Sequence, residues 1–389
     1  MGQISCWRST VVLTACAALL LASCSDDEPQ TGPTTTGATI TTQPPEPAPY
    51  TDKGEYEVGT FTVALEDGRR VVIWYPAAPD AAEQPTESFD IASLLRPDLQ
   101  AMIPADLRVS YEVDAHPGAE PASGSFPVVL FSHGFAGFPE QSVDLTTHLA
   151  SWGYVVAAPD HVERSLSGLL GTAAQGVERR EDPDVLAETL DVVEAEDARE
   201  DSPLRGIVDA EHVAVTGHSA GAGAAYRLAG SDDRVDAFIA YSIGTRDDDG
   251  DPPPVPDVPG MVMLGTDDGI IPAESSRAVF EGMATPKYLV EVSGAGHLVF
   301  SDICLIGGDK GGVIAIADQV GIPVDQFRQL GTDGCTEEHP PVEDAFPAIN
   351  DLSVDFLRTY LDQSGPAGLD DPAIADAFDT VDVVVTAEP

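Results

Sequence analysis

Three residue types in this chain stand where nucleophilic catalysis would need them. Ser219 lies in Gly217-His218-Ser219-Ala220-Gly221, between the apolar β-prone run Val213-Ala214-Val215 and an Ala-rich stretch from Ala222 to Ala229. The pattern predicts strand, tight turn and helix, with the serine hydroxyl raised on the turn. Glycines at 217 and 221 permit so sharp a turn, because neither brings a Cβ between strand and helix. A serine hydroxyl is a poor nucleophile at neutral pH, so it requires a base within hydrogen-bond reach and a carboxylate to orient that base. Two later loops offer them. Gly265-Thr266-Asp267-Asp268-Gly269 presents two adjacent acids, and Ser293-Gly294-Ala295-Gly296-His297 presents a histidine. Acyl transfer also needs N–H donors facing the developing oxyanion. The N–H of Ala220 is one candidate, and that of Phe135, in His133-Gly134-Phe135, is the other. His133 and His218 read as braces for these two loops.

Positioning such residues takes a sheet whose strands end at a common edge. The apolar runs Phe126 to Ser132, Tyr154 to Ala158, Val235 to Ser242, Gly260 to Leu264 and Lys287 to Val292 are the kind buried on both faces of a parallel sheet. Helices are expected near Gln141 to Ser151, Asp184 to Glu200, Ala222 to Ala229 and Glu274 to Met283, with a closing helix from Ile349 to Leu361. This alternation predicts one doubly wound, mostly parallel α/β domain over residues 51–364. Tyr56 to Leu65 and Arg69 to Pro76, joined through Glu66-Asp67-Gly68, predict an antiparallel hairpin at its start. Residues 304–344 read as a Gly-rich insertion, and residues 365–389 as an acidic, loosely attached tail. Residues 77–125 carry little pattern beyond a short helix near Ile91 to Leu95. Pocket walls are expected from Ala136 to Glu140, from Asp160 to Leu170 and from the insertion.

The segments PVVLFSHGFAG, HLASWGYVVAAPDH, GHSAG and GHLVFSD resemble the α/β-hydrolase superfamily over about Tyr56 to Leu361. Within it they are similar to the platelet-activating-factor acetylhydrolase and predicted dienelactone hydrolase group, with a weaker likeness to bacterial cutinases and polyester hydrolases. The chain order Ser219, aspartate, His297 is the one this resemblance implies. In similar hydrolases the acid lies four residues before a proline, in a G-x-x-D-x-x-x-P pattern. Gly265, Asp268 and Pro272 match it, which favours Asp268 over Asp267. The resemblance implies the α/β-hydrolase fold and a serine ester hydrolase that needs no cofactor. Short acyl esters are its first expectation, with phospholipid or polyester as narrower ones. The alternative from another class is a catalytically silent, surface-binding lipoprotein on the same scaffold.

Composition bounds the partners. The 389 residues carry a formal charge of -47 with only three lysines, Lys53, Lys287 and Lys310. Nucleic acid is therefore excluded as a partner, since phosphate contacts need clustered cations. No His/Cys cluster has the spacing of a metal site. Near the start, Arg8 precedes an apolar run from Val11 to Leu21 that ends in Leu21-Ala22-Ser23-Cys24, which resembles the lipobox of bacterial lipoproteins. Residues 1–23 are then a signal peptide, Cys24 the lipidated residue, and residues 24–50 a disordered Thr/Pro-rich tether. The protein is accordingly expected to be extracytoplasmic, anchored to the bacterial cell membrane through Cys24. Cys304 and Cys335 remain as a pair, and a disulfide between them would close a loop of about 30 residues, worth ~3 kcal/mol on the chain-entropy model.

Overall fold

The apolar runs become strands of one large sheet. In a computed structural model of the chain, residues 48–244, 253–362 and 368–389 are described, all within the unit Pro45–Pro389. The expected signal peptide, Cys24 and the tether as far as residue 47 lie outside the described residues. The strands are β1 (Glu57–Ala64), β2 (Arg70–Ala77), β3 (Glu87–Asp90), β4 (Ser110–Val113), β5 (His116–Pro117) and β6 (Phe126–Ser132). They continue with β7 (Val155–Pro159), β8 (Val208–His218), β9 (Ala237–Tyr241), β10 (Gly260–Gly265), β11 (Lys287–Val292) and β12 (Val383–Glu388). The helices are α1 (Pro97–Gln100), α2 (Val143–Ser151), α3 (Leu166–Leu169), α4 (Asp182–Ala198), α5 (Ala220–Ala229), α6 (Ala273–Gly282), α7 (Gly312–Val320) and α8 (Val342–Tyr360).

Ten strands form the sheet in the order β12-β11-β10-β9-β8-β6-β7-β2-β1-β5, and β3 pairs with β4 apart from it. From β7 through β6, β8, β9 and β10 to β11 every ladder is parallel. The hairpin β1-β2 joins antiparallel to β7, as its turn sequence predicts. The chain winds from β6 outward to β7 and then back across β6 to β8. Winding therefore reverses between β6 and β8, which opens a crevice at the carboxyl ends of these two strands.

Both faces of the sheet are buried because both sets of alternating side chains are apolar. Val129 and Phe131 pack with Leu149 of α2 and Phe356 of α8, whereas Val128 and Leu130 pack with Leu190 of α4, Ala225 of α5 and Phe280 of α6. Each such large side chain contributes roughly 2 kcal/mol through burial. The closing helix begins at Val342, ahead of the expected Ile349, and runs through Pro347.

Two sequence expectations need correction. Of the residues expected to form a loose tail, those from 368 onward are docked: β12 pairs antiparallel with all of β11, from Lys287 opposite Glu388 to Val292 opposite Val383. Its acidic neighbours masked a period-two pattern in which Val383, Val385 and Ala387 pack on the core while Val384 and Thr386 are exposed. The end of the expected tether is also docked. Tyr50 is buried, its N–H donates to Asp351 Oδ1 at 2.5 Å, and its ring meets Trp152 edge-on at 5.0 Å. Among the described residues no helix is long and apolar enough to cross a membrane.

Candidate active site

Ser219 occupies the turn between β8 and α5 with φ +59° and ψ -118°, a left-handed conformation that costs a non-glycine residue about 1–3 kcal/mol. Neighbouring glycines make that turn fit. A Cβ on Gly217 would overlap the Gly221 carbonyl, and a Cβ on Gly221 would overlap the Ser132 carbonyl at the end of β6. The turn is pinned by the Ser219 N–H, which donates to Tyr241 O at 2.8 Å.

The loops after β10 and β11 bring the acid and base together. His297 Nδ1–H donates to Asp268 Oδ2 at 2.8 Å, and Asp268 Oδ1 accepts the N–H groups of Ile270 and Ile271 at 2.8 and 2.7 Å. Burial by itself would raise the Asp268 carboxyl; the hydrogen bond and charge of His297, with the two backbone donors, outweigh it and hold the group below the usual carboxylate range. Asp267 is exposed and receives only a 3.4 Å contact from Thr266 Oγ1. His297 is fully buried, and its other ring nitrogen, Nε2, has no hydrogen-bond partner among the described residues. Ser219 and His297 line the same pocket.

Phe135 lines this pocket, Ala220 follows the lining residue Ser219, and the N–H of each has no acceptor of its own. Neither the Phe135 nor the Ala220 N–H bonds to a described residue, whereas the N–H of Gly134, one residue earlier, donates to Gln141 Oε1 at 2.9 Å. Gln141 also reaches the elbow: its Nε2 donates to His218 Nδ1 at 2.8 Å, and His218 Nε2–H donates to His297 O at 3.0 Å. Burial, with His297 nearby, pushes His218 down to about 3, so it stays neutral and keeps this tautomer. Below the Phe135 loop, buried Arg164 bonds the carbonyls of His133 and Gly134 and the Ser132 hydroxyl, while its own carbonyl accepts Ala136 N–H at 2.7 Å. His161, isolated in the sequence, lies 2.9 Å from Ser132 Oγ through Nε2 and 3.1 Å from Asp182 through Nδ1. These groups are sealed from the pocket, and they brace the loop.

Sequence reasoning missed Gln141, Arg164 and Asp333. Asp333 belongs to the insertion, which the disulfide Cys304–Cys335 closes with its Cα atoms 5.1 Å apart. The backbone N–H groups of His297 and Leu298 donate to Asp333 Oδ1 and O at 2.6 and 3.0 Å. No local pattern marks any of the three, because each has partners in a loop far away in sequence, Gln141 in the elbow, Arg164 in the Phe135 loop and Asp333 in the His297 loop. The pocket receives Ala136, Phe138, Leu166 and Leu170 from the expected walls, but Glu140 turns away to pair with Arg70. Among the described residues no group of His, Cys, Asp and Glu is placed to hold a metal ion.

Residues 118–244, which run from just after β5 to just after β9 and include the elbow, match the chlorophyllase family. No curated protein matches the chain significantly. A solved structure of a ferulic acid esterase from Streptomyces cinnamoneus superposes with a TM-score of 0.56 at 23% identity, covering 86% of this chain and 97% of that one. That likeness extends over nearly the whole of the neighbour, so the two chains share a fold. The protein has the α/β-hydrolase fold.

Proposed function

We propose that the protein is a serine hydrolase of carboxylic esters, with Ser219, His297 and Asp268 as its triad. Ser219 Oγ attacks the ester carbonyl, and His297 Nε2 takes the hydroxyl proton and returns it to the leaving alcohol. Asp268 holds Nδ1–H and stabilises the imidazolium. The N–H groups of Phe135 and Ala220 receive the oxyanion, each worth roughly 3 kcal/mol of barrier. Water then attacks the acyl-enzyme carbonyl and gives a proton to His297, which passes it to Ser219 Oγ as the bond to the acyl group breaks and the acid leaves. The reading rests above all on one observation: a histidine that is bonded to a buried carboxylate, and whose other ring nitrogen has no partner among the described residues, lines the same pocket as Ser219. The chlorophyllase match over residues 118–244 and the esterase neighbour support ester chemistry.

The lipidated, extracytoplasmic setting belongs to the same proposal. It is supported by the sequence before Cys24 and by the Cys304–Cys335 disulfide, a bond that persists outside reducing compartments. Labelling with a fluorophosphonate, alongside turnover of p-nitrophenyl butyrate, tests the chemistry: Ser219 is labelled and turns over ester, and Ser219→Ala does neither. A protein unlabelled at Ser219 and inert on esters would instead be the silent, surface-binding scaffold. Incorporation of radiolabelled palmitate in a bacterial host, lost in Cys24→Ala, tests the anchor.

A further inference from the structure

Ser219 and His297 open onto a pocket whose walls are almost entirely hydrocarbon. One side comes from residues 91–109, through Ile91, Leu95, Ile103 and Val109; the other comes from the disulfide-closed insertion, through Ile314 and Phe327. Apart from Ser219, His218, His297 and Gln141, the polar side chain on this lining is Arg108, whose guanidinium turns to Asp90 at 3.2 Å. The two walls are joined, since Leu99 clusters with Ile314, Ile322, Val324 and Phe327, and the first wall is also tied to the end of α3, where Arg96 N–H donates to Leu170 O at 3.0 Å.

Resting on the ester-hydrolase reading, we infer that the substrate carries an uncharged hydrocarbon group of at least about six carbons beside its ester, seated between these two walls. The pocket offers about 150 Å³, the size of an apolar cavity that holds a benzene ring. An acetyl group would leave most of that surface uncovered. A charged or hydroxylated group would leave its polar atoms short of partners, because beyond the reacting groups the polar side chains of the lining are engaged elsewhere, Gln141 with Gly134 and His218 and Arg108 with Asp90. The rim continues the same chemistry: Phe135, Leu169 and Met102 are among the few large apolar side chains left exposed, and each lies on or beside a lining residue. Phe135 stands 6.3 Å from Phe327, so the loop that supplies an oxyanion donor also touches the insertion. On the acyl side such a group exceeds the short acyl chain expected from the sequence, whereas on the alcohol side it is compatible with one.

The test uses the purified full-length chain and two substrate series, p-nitrophenyl esters from acetate to octanoate and n-alkyl acetates from methyl to octyl. In one series kcat/KM rises by up to about fourfold per methylene as far as six carbons, the factor that one buried methylene supplies. A response in the first series places the group on the acyl side, and in the second on the alcohol side. Ala317, a small residue on the lining at α7, carries the control. Ala317→Trp lowers the ratio of hexanoate (or hexyl) to acetate (or methyl) turnover at least tenfold. Ala317→Leu lowers it less. Such a ratio, taken within one sample, does not depend on how much of the variant is folded. Profiles flat or falling from the shortest ester in both series, in protein whose Ser219 reacts with fluorophosphonate, would overturn the inference while leaving the hydrolase reading intact. An unchanged ratio in Ala317→Trp would overturn it as well. Absence of both labelling and turnover would remove the hydrolase reading, and this inference with it.

Discussion

Asp333 Oδ1 accepts the backbone N–H of His297 at 2.6 Å, and the same oxygen lies 3.3 Å from the N–H of Gly269. One carboxylate thereby ties the loop carrying Asp268 to the loop carrying His297, from a position two residues before Cys335. Hydrogen bonds to a charged acceptor are worth ~1.5–3 kcal/mol, or about 10- to 100-fold in rate if lost at the transition state. Asp333→Ala is expected to lower kcat at least roughly tenfold with a smaller change in KM. Rates are expressed per fluorophosphonate-titrated site, which discounts unfolded protein. An unchanged kcat per titrated site would show that Asp333 only stabilises the fold. Reduction of Cys304–Cys335 with dithiothreitol should move kcat in the same direction, because it frees the loop that holds Asp333.

The two adjacent acids after β10 make a direct comparison. Asp268 meets His297, whereas Asp267 is exposed. Asp268→Asn is expected to cut kcat by ~10³- to 10⁴-fold by favouring the wrong histidine tautomer. Asp267→Asn should stay within about twofold, as surface substitutions do. Steady-state kinetics on p-nitrophenyl butyrate decides, and the reverse ranking would move the triad's acid to position 267.

Gln141 links the Phe135 loop to the elbow. Truncation to alanine strands Gly134 N–H and His218 Nδ1 in the interior, at about 1–3 kcal/mol. Gln141→Ala should therefore lower the melting temperature and lower kcat together. Gln141→Glu keeps an acceptor for Gly134 but withdraws the donor to His218, so it should fall between wild type and alanine in kcat. Equal kcat for all three proteins would rule out a role for this link in setting the donors.

Stability should fall as pH rises toward neutrality. Burial raises the Asp302 and Asp351 carboxyls to about 7 and that of Asp355 to about 6. In the unfolded chain these groups titrate near pH 4, so the folded state binds more protons between about pH 4 and 7. Folding stability contributed by the neutral acids is complete below that window and is lost as pH climbs through 6 to 7. Thermal unfolding in about 0.5 M salt, which screens the general negative charge, should give a higher melting temperature near pH 5.5 than near pH 8. Asp351→Asn should narrow the difference. A melting temperature that climbs from pH 5.5 to 8 would contradict these assignments. Below about pH 4 the trend reverses, because Asp268 and Asp182 sit below the usual range and lose their partners on protonation.

Local chemistry was legible wherever a constraint acts between near neighbours in the chain. Gly217 and Gly221 are required by a turn that closes within five residues, so the elbow stands out in the sequence, as do the apolar runs that became β6 to β11. The placement of Asp268 and His297 at one edge followed from alternating strands and helices, since parallel strands put their following loops on the same side. Tertiary structure decided what depends on where distant segments close. β12 became a strand because β11 offered an unpaired edge, Tyr50 docked because Asp351 accepts its N–H, and residues 91–109 became a pocket wall because the insertion faces them. Asp333 carries no motif at all. Its carboxylate matters only through two backbone N–H groups, 36 and 64 residues away, and a backbone donor leaves no trace in the side-chain sequence.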